Sequence, residues 1–237
     1  MDRPALMAAL RHRIARLERP VLARPGLAPV PLCPAIDAAL PAGGLARAAL
    51  HEVLPAEAAH QGAAAGFCAM VLARAAGPVF WIAPEPDAWP PGLARFGLDP
   101  AQLVLVRAPK PADALWAMEE ALRCPATAGA LLLAPGLDLT AERRLMLAAE
   151  TGGGLGLLLR GEDAAVGPGA ALTRWRIGGL PGSGGPHDLG DPRWRVELLR
   201  SRAGQASAWD VTWHAAGDSL LVEEAAAPVV PARRRAR

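Results

Sequence analysis

The sequence predicts an α/β fold: a mainly parallel sheet flanked by helices, with antiparallel strands at the C-terminal side. Three observations predict it. Between residues 35 and 160, short apolar runs of strand length alternate with amphipathic stretches of helix length, which is the pattern of βαβ units. After Gly161 the helical stretches cease, and the remaining runs alternate apolar and polar residues with period two. The last two of these are joined by Ala203-Gly204-Gln205-Ala206, a connection of hairpin length.

Taken in order, residues 3–19 place Leu6, Leu10, Ile14 and Leu17 at helical spacing, with Arg11, Arg13 and Arg16 opposite. An amphipathic helix is expected there, packing back on its own core or docking on a neighbour, which would give self-association. Pro20 to Pro34 is a proline-rich connector unsuited to regular structure. The core then begins. Ala46, Ala48, Leu50 and Val53 form a buried strand ended by Pro55, and Phe67, Met70, Val71 and Arg74 mark a helix. Pro78–Ala83 is a second strand, followed by a loop with a short helix around Gly92–Phe96. Gln102–Arg107, Ala128–Ala134 and Leu155–Arg160 are the third to fifth strands, with helices over Pro111–Arg123 and Leu139–Thr151 between them. Leu172–Ile177, Arg193–Arg202 and Ser207–Trp213 are read as half-exposed antiparallel strands. A flexible glycine-rich loop, Gly178–Pro192, separates the first two. The chain thus divides into an N-terminal helix and connector (1–34), a core (35–222) and a basic, disordered tail (223–237).

A chain of 237 residues, 52% of them hydrophobic, is long enough for one good core. No apolar run approaches the roughly 20 residues of a membrane span, and the charged N-terminus lacks the core of a signal peptide. No membrane association is expected. Cys33, Cys68 and Cys124 are widely separated and odd in number, so neither disulfides nor a zinc site is expected and a reducing cytoplasm is. The formal charge is +2, but Arg233, Arg234, Arg235 and Arg237 supply four positives at the very end. Residues 1–232 are left with 21 basic against 23 acidic side chains. The body is therefore not a nucleic-acid surface by bulk charge. Arginine outnumbers lysine 24 to 1 and tyrosine is absent, a compositional bias with no functional reading.

The stretch from Gly43 to Ala76 reads as strand, loop, helix, the place where α/β nucleotide-binding proteins hold phosphate on backbone N–H groups and a helix N-terminus. The loop here is Leu54 to Gly62, with Pro55, Glu57, His60, Gln61 and Gly62 at the positions that would face phosphate. It has one glycine, no lysine and no Ser or Thr to hold magnesium, and the only lysine of the chain is the distant Lys110. A working loop of this kind reads GxxxxGK[ST]. No nucleotide cofactor is expected.

Other groups invite chemistry and are read more plainly. His51, Glu52 and His60 lack metal-ligand spacing and are expected to hydrogen-bond at strand ends or loops. Glu119, Glu120, Glu142 and Glu150 are placed on solvated helix faces rather than in acid–base pairs. Gly152-Gly153-Gly154 follows a helix and precedes a strand, so it is a helix C-cap and not a dinucleotide fingerprint. Gln102-Leu103-Val104-Leu105 loosely matches a sliding-clamp peptide, but it is expected inside a core strand, out of reach of a partner. Arg174, Arg176, Arg193, Arg195, Arg200 and Arg202 alternate with Trp and aliphatic residues, so one hairpin face is expected to be basic. That face is a candidate for DNA or partner contact, and otherwise an ordinary solvated surface. The tryptophans are expected to be mostly core, Trp116 on the apolar side of its helix, with Trp89 the exposed candidate contact. The polybasic end would attach to nucleic acid or an acidic partner, or simply aid solubility.

Taken together, several motifs resemble a known family. They are Leu40-Pro41-Ala42-Gly43-Gly44-Leu45, His51-Glu52, Gly92 to Pro100, Ala114 to Arg123, Arg143 to Glu150, Thr173 to Arg176, and Trp194 to Arg202. Over roughly residues 35–215 the chain resembles the RecA-like recombinase core. It is more closely similar to a degenerate, SulA-like relative of that core, the ImuA family of translesion-synthesis proteins. The resemblance implies a RecA-like fold and a non-catalytic adaptor in the bacterial DNA damage response. It implies an ImuB-like Y-family partner, an error-prone C-family polymerase, and contact with RecA. Against an active recombinase, the phosphate loop is gone, and the strand that should end in an acidic residue for magnesium ends Leu132-Leu133-Ala134-Pro135. Only Glu85 falls near the water-activating glutamate. An ATP-binding recombinase paralogue and a SulA-like cell-division inhibitor are the alternatives that the resemblance leaves.

Overall fold

The computed structural model describes residues 26–85, 88–133, 136–161, 169–182, 184, 190–202 and 205–223. The expected helix over 3–19, the arginines at 233–235 and 237, and the middle of the glycine-rich loop lie outside these residues. In chain order the elements begin with α1 (Pro34–Asp37), β1 (Ala49–Pro55), α2 (Gln61–Arg74), β2 (Val79–Ala83) and α3 (Pro90–Ala94). Then come β3 (Leu103–Arg107), α4 (Pro111–Arg123), β4 (Gly129–Leu133), α5 (Leu139–Gly152) and β5 (Leu155–Leu159). The C-terminal part consists of β6 (Thr173–Leu180), β7 (Arg193–Ser201), β8 (Ser207–His214) and β9 (Ser219–Val222).

All nine strands pair in one sheet, in the order β3-β2-β4-β5-β1-β6-β7-β8-β9. The first six run parallel and β7, β8 and β9 fold back antiparallel. The mixed α/β sheet expected from the sequence is therefore present. Helix α2 covers one face, while α4 and α5 cover the other. That is why β1 and β5 are buried along their whole length and read as continuous apolar runs. On the α2 side, Phe67, Trp175, Trp194, Phe96 and Trp213 make a chain of ring contacts. On the other side Leu50, Ile82, Met118, Leu122, Leu132, Leu145 and Leu158 close the core. The end of the proline-rich connector is fastened to the body: Val30 and Leu45 exchange backbone hydrogen bonds of 2.8 Å, and Arg74 donates to the carbonyls of Pro31 and Leu32.

Four expectations are corrected. The Leu172–Ile177 strand is not a half-exposed antiparallel piece: β6 lies parallel beside β1 and is largely buried, because α2 packs across it. The Gln102–Leu105 segment is not shielded. It enters β3, the last strand of the sheet, and Val104 is 43% exposed because α2 and α4 sit over inner strands. Trp116 is exposed rather than apolar-side, since α4 turns Ala114, Met118, Ala121 and Leu122 inward and leaves Trp116 on the opposite flank. The solvated-face reading fails for Glu119 and Glu142, which are buried and ion-paired. The glycine C-cap is as expected. Gly153 adopts φ 87° and its N–H closes on Ala149 O at 2.8 Å.

Helix α5 ends in close contact with α4. A Cβ on Gly152 would lie 2.0 Å from the carbonyl oxygen of Leu122 and 2.8 Å from the carbonyl carbon of Arg123. Both are backbone atoms, so the overlap is not relieved by a rotamer change. Gly152→Ala is expected to destabilise the fold by about 3 kcal/mol, seen as a fall in Tm of roughly 10 °C in thermal unfolding.

Candidate functional site

The strand–turn–helix unit of β1 and α2 is built as the sequence indicates, but its turn closes on itself. Pro55 ends β1 in register with Ile177 of β6, and the Ala56 N–H donates to Ile177 O at 2.8 Å. Glu57 is exposed and makes no side-chain cap bond. A single 3₁₀ turn, Ala58–His60, follows, in which the His60 N–H donates to Glu57 O at 2.9 Å and the Gln61 N–H to Ala58 O. Three N–H groups of the turn are thus committed to backbone carbonyls, whereas a phosphate cradle points such groups outward. The His60 ring packs on the strand beside it: a Cβ at Gly179 would lie 3.3 Å from His60 Cδ2. Its Nδ1 is buried without a hydrogen-bond partner among the described residues. Gly62 opens onto free space.

Glu85 does not serve this turn. It follows β2, which β4 and β5 separate from β1, a lateral distance of roughly 14 Å. It is hydrogen-bonded instead by Arg107 at the end of β3, which holds its carboxyl below the usual range. A carboxylate so held is a poor base for activating water. Among the described residues, no three His, Cys, Asp or Glu side chains come together as metal ligands.

Beside the turn, on the α5 face, lies a cluster that the sequence reading missed. Glu52 of β1 accepts from Arg160 Nε at 2.9 Å and also from Arg174 Nε. Arg160 Nη2 reaches Glu142 of α5 at 2.5 Å, and the second oxygen of Glu142 accepts the Ala170 N–H at 2.7 Å. All four side chains are buried. Arg200 closes one side, donating to the carbonyls of Gly169 and Ala171, with its Nε unpartnered among the described residues. Burial, and after it the charge of Arg174, pull this guanidinium below its usual range. The available signal was a glutamate inside a strand that otherwise reads apolar, with an arginine ending another.

The expected basic hairpin face is largely neutralised. Arg176 pairs with Glu197, Arg195 with Asp210 at 3.1 Å, and Arg193 Nε with Glu223 at 2.7 Å. Arg193 and then Thr212 draw the Glu223 carboxyl down to about 2. Three cations thus meet three carboxylates. Arg174 is internal and cannot reach DNA or a partner, while Arg202 is exposed. Trp89 is 70% exposed as expected, with its ring over Gly92 on the α2 side of the sheet. It does not join the arginines.

On that α2 side His51 is fully buried. Its Nε2 faces Ala46 O at 2.9 Å and its Nδ1 faces Thr173 Oγ1 at 2.7 Å, the hydroxyl that also accepts from Trp175 Nε1. Since a carbonyl only accepts, Nε2 carries the proton and the Thr173 hydroxyl donates to Nδ1. A ring so satisfied is structural.

No protein-family model matches the chain. Two curated proteins, each named Protein ImuA, are 38% identical to it over 201 residues, spanning 78% of this chain and 82% of theirs. They come from Caulobacter vibrioides strains NA1000 / CB15N and ATCC 19089 / CIP 103742 / CB 15. The chain belongs to the ImuA family. Among solved structures this ImuA-family chain is similar to SulA from Pseudomonas aeruginosa. There the identity is 25%, the TM-score 0.41, and the match covers 47% of this chain and 97% of that one.

Two outcomes test the buried groups. Glu52→Gln removes the carboxylate shared by Arg160 and Arg174 and is expected to cost about 4 kcal/mol in denaturant unfolding. Burial lowers His51 from 6.5 to about 4. The folded state therefore binds fewer protons than the unfolded chain between these values. Its contribution is fully present above 6.5 and is lost as pH falls toward 4, a difference of about 3 kcal/mol. Thermal unfolding across this window should show that slope in the wild type and a flatter one in His51→Gln.

Proposed function

We propose that this ImuA-family chain is a non-catalytic, RecA-like adaptor of a bacterial mutagenic translesion-synthesis complex. Its partners would be an ImuB-like Y-family protein and an error-prone C-family polymerase, acting in the DNA damage response in the cytoplasm. The observation that carries the non-catalytic part is the β1–α2 turn. It binds its own N–H groups, presents Glu57 where a phosphate would need a cation, and has no lysine within reach. An uncompensated carboxylate at that place repels a triphosphate. Membership of the family, over most of the length of both chains, supports the damage-tolerance setting.

The contacts through which such an adaptor works are placed in the same reading. RecA contact is an additional partnership. Trp89, Arg202 and the end arginines Arg233, Arg234, Arg235 and Arg237 are the candidate contacts for partner protein or DNA. Arg176, Arg193, Arg195 and Arg200 contribute only if their present partners are exchanged. Self-association through residues 3–19 is one use of that segment, and its packing on its own core is the other. No helix among the described residues is long and apolar enough to cross a membrane. An ATP-binding recombinase paralogue and a division inhibitor are the competing readings.

Affinity purification of the tagged chain from DNA-damaged cells distinguishes them. The proposal expects co-recovery of an ImuB-type protein and a C-family polymerase, unchanged by Glu57→Ala or His60→Ala. Recovery of the tubulin-like division protein instead would replace this reading with the inhibitor one.

A further inference from the structure

The two edges of the sheet are β3 and β9. An edge strand leaves a row of outer N–H and C=O groups open to another chain, and proteins blunt such edges with charge, proline, a bulge or brevity. β9 is blunted, being four residues long and set between Asp218 and Glu223. β3 is not. It reads Leu103-Val104-Leu105-Val106-Arg107 and pairs with β2 in unbroken register, with neither proline nor bulge. Its aliphatic residues line both faces: Leu103 and Leu105 stand on the α2 side, Val104 and Val106 on the α4 side. Val104 and Leu105 are 43% and 39% exposed, so neither helix layer overhangs the edge. The one charge in the strand, Arg107, is already held by Glu85. Four consecutive aliphatic residues thus form an uncovered, uncharged strand edge.

The register with β2 fixes which main-chain groups face out. The Ala108 N–H donates to Ala83 O at 2.9 Å, and alternate residues of a strand turn their N–H and C=O to the same side. Val104 and Val106 therefore turn theirs to β2, and Leu103, Leu105 and Arg107 turn theirs outward. These three are symmetric about Leu105. A second β3, antiparallel about a two-fold axis at Leu105, sets Leu105 opposite its own copy and Leu103 opposite Arg107. Every outward group of both strands then lies in a hydrogen-bonded pair. The side chains agree, because opposite residues share a face: Leu105 meets Leu105, and Val104 meets Val106. Charge agrees too. Exposed Asp99 precedes the strand, exposed Lys110 follows it, and the backbone is still extended at Lys110. In this register position 110 of one copy stands opposite position 100 of the other, which brings Lys110 of each toward Asp99 of its mate. A second copy meets all of these conditions by symmetry alone, and one surface used twice closes the assembly at two.

We propose that β3 is a dimerisation edge, at which a second copy of this chain pairs antiparallel about Leu105 and continues the sheet across two molecules. The assignment is independent of the damage-tolerance reading. The test combines sedimentation of the full-length protein over a range of concentrations with residue-resolved hydrogen–deuterium exchange. A species of twice the 24.6 kDa chain mass forms and dissociates on dilution. As it forms, the amides of Leu103, Leu105 and Arg107 gain protection, while those of Val104 and Val106 are protected throughout. Leu105→Lys raises the dimer Kd by about tenfold or more, since it sets like charges opposite each other in place of an apolar pair. Its Tm and far-UV dichroism stay those of the wild type, and Leu221→Lys on the β9 edge leaves the Kd unchanged. A chain that stays monomeric at every concentration overturns the proposal. So does a dimer whose Kd Leu105→Lys does not alter, or one in which the three outward amides of the wild type gain no protection, a reading that needs no variant to fold. Protection of those amides only on addition of another protein would assign the edge to that partner and overturn it as well.

Discussion

The buried carboxylate–guanidinium cluster around Glu52 is the constraint on which the rest depends. Glu52 in β1, Arg160 after β5, Arg174 in β6 and Glu142 in α5 are distant in sequence, and each is buried. None could remain charged inside the protein alone, so they are buried together or not at all. Their mutual satisfaction fixes the order of the three central strands and seats the first turn of α5 on them. It also holds the chain at Gly169–Ala171, through the Ala170 N–H to Glu142 and the Arg200 bonds. The antiparallel extension from β6 outward is built on a strand locked in this way.

The same central strands present the strand–turn–helix unit at which α/β nucleotide-binding proteins hold phosphate. Here the turn offers a phosphate few free donors. Backbone donors that would face a phosphate are closed onto Ile177, Glu57 and Ala58, and His60 lies against the glycines of β6. The acid after β2 is turned toward Arg107. Around this turn the fold carries large exposed side chains at its periphery, among them Trp89 and Trp116.

The fold was legible because burial on both faces leaves unbroken apolar runs such as Leu155–Leu159, and because a glycine after Thr151 marks where a helix must stop. β9 was not legible, since Ser219–Val222 is four residues long and gains its partner only from the turn at Asp218, φ 48°. That residues 54–62 do not match GxxxxGK[ST] could be read directly, as missing residue types. The ion cluster could not. Alternation along a strand says that Arg174 and Arg176 share a face, but not that α5 covers the first and leaves the second half in solvent. For the same reason Glu142 and Glu119 read as surface acids. A helix wheel locates the apolar stripe, and only the packing of α4 against α5 reveals that its margins are buried too. Trp116 erred in the opposite direction, since residue type alone argued for burial.

Calorimetric titration of the full chain with ATP and magnesium is the most direct measurement of whether this scaffold has lost its nucleotide site. The expected result is no saturable heat and no rise in Tm at ATP concentrations that would stabilise a binding protein. Saturable binding that raises Tm, and that weakens when Gly62 or His60 is replaced, would contradict it.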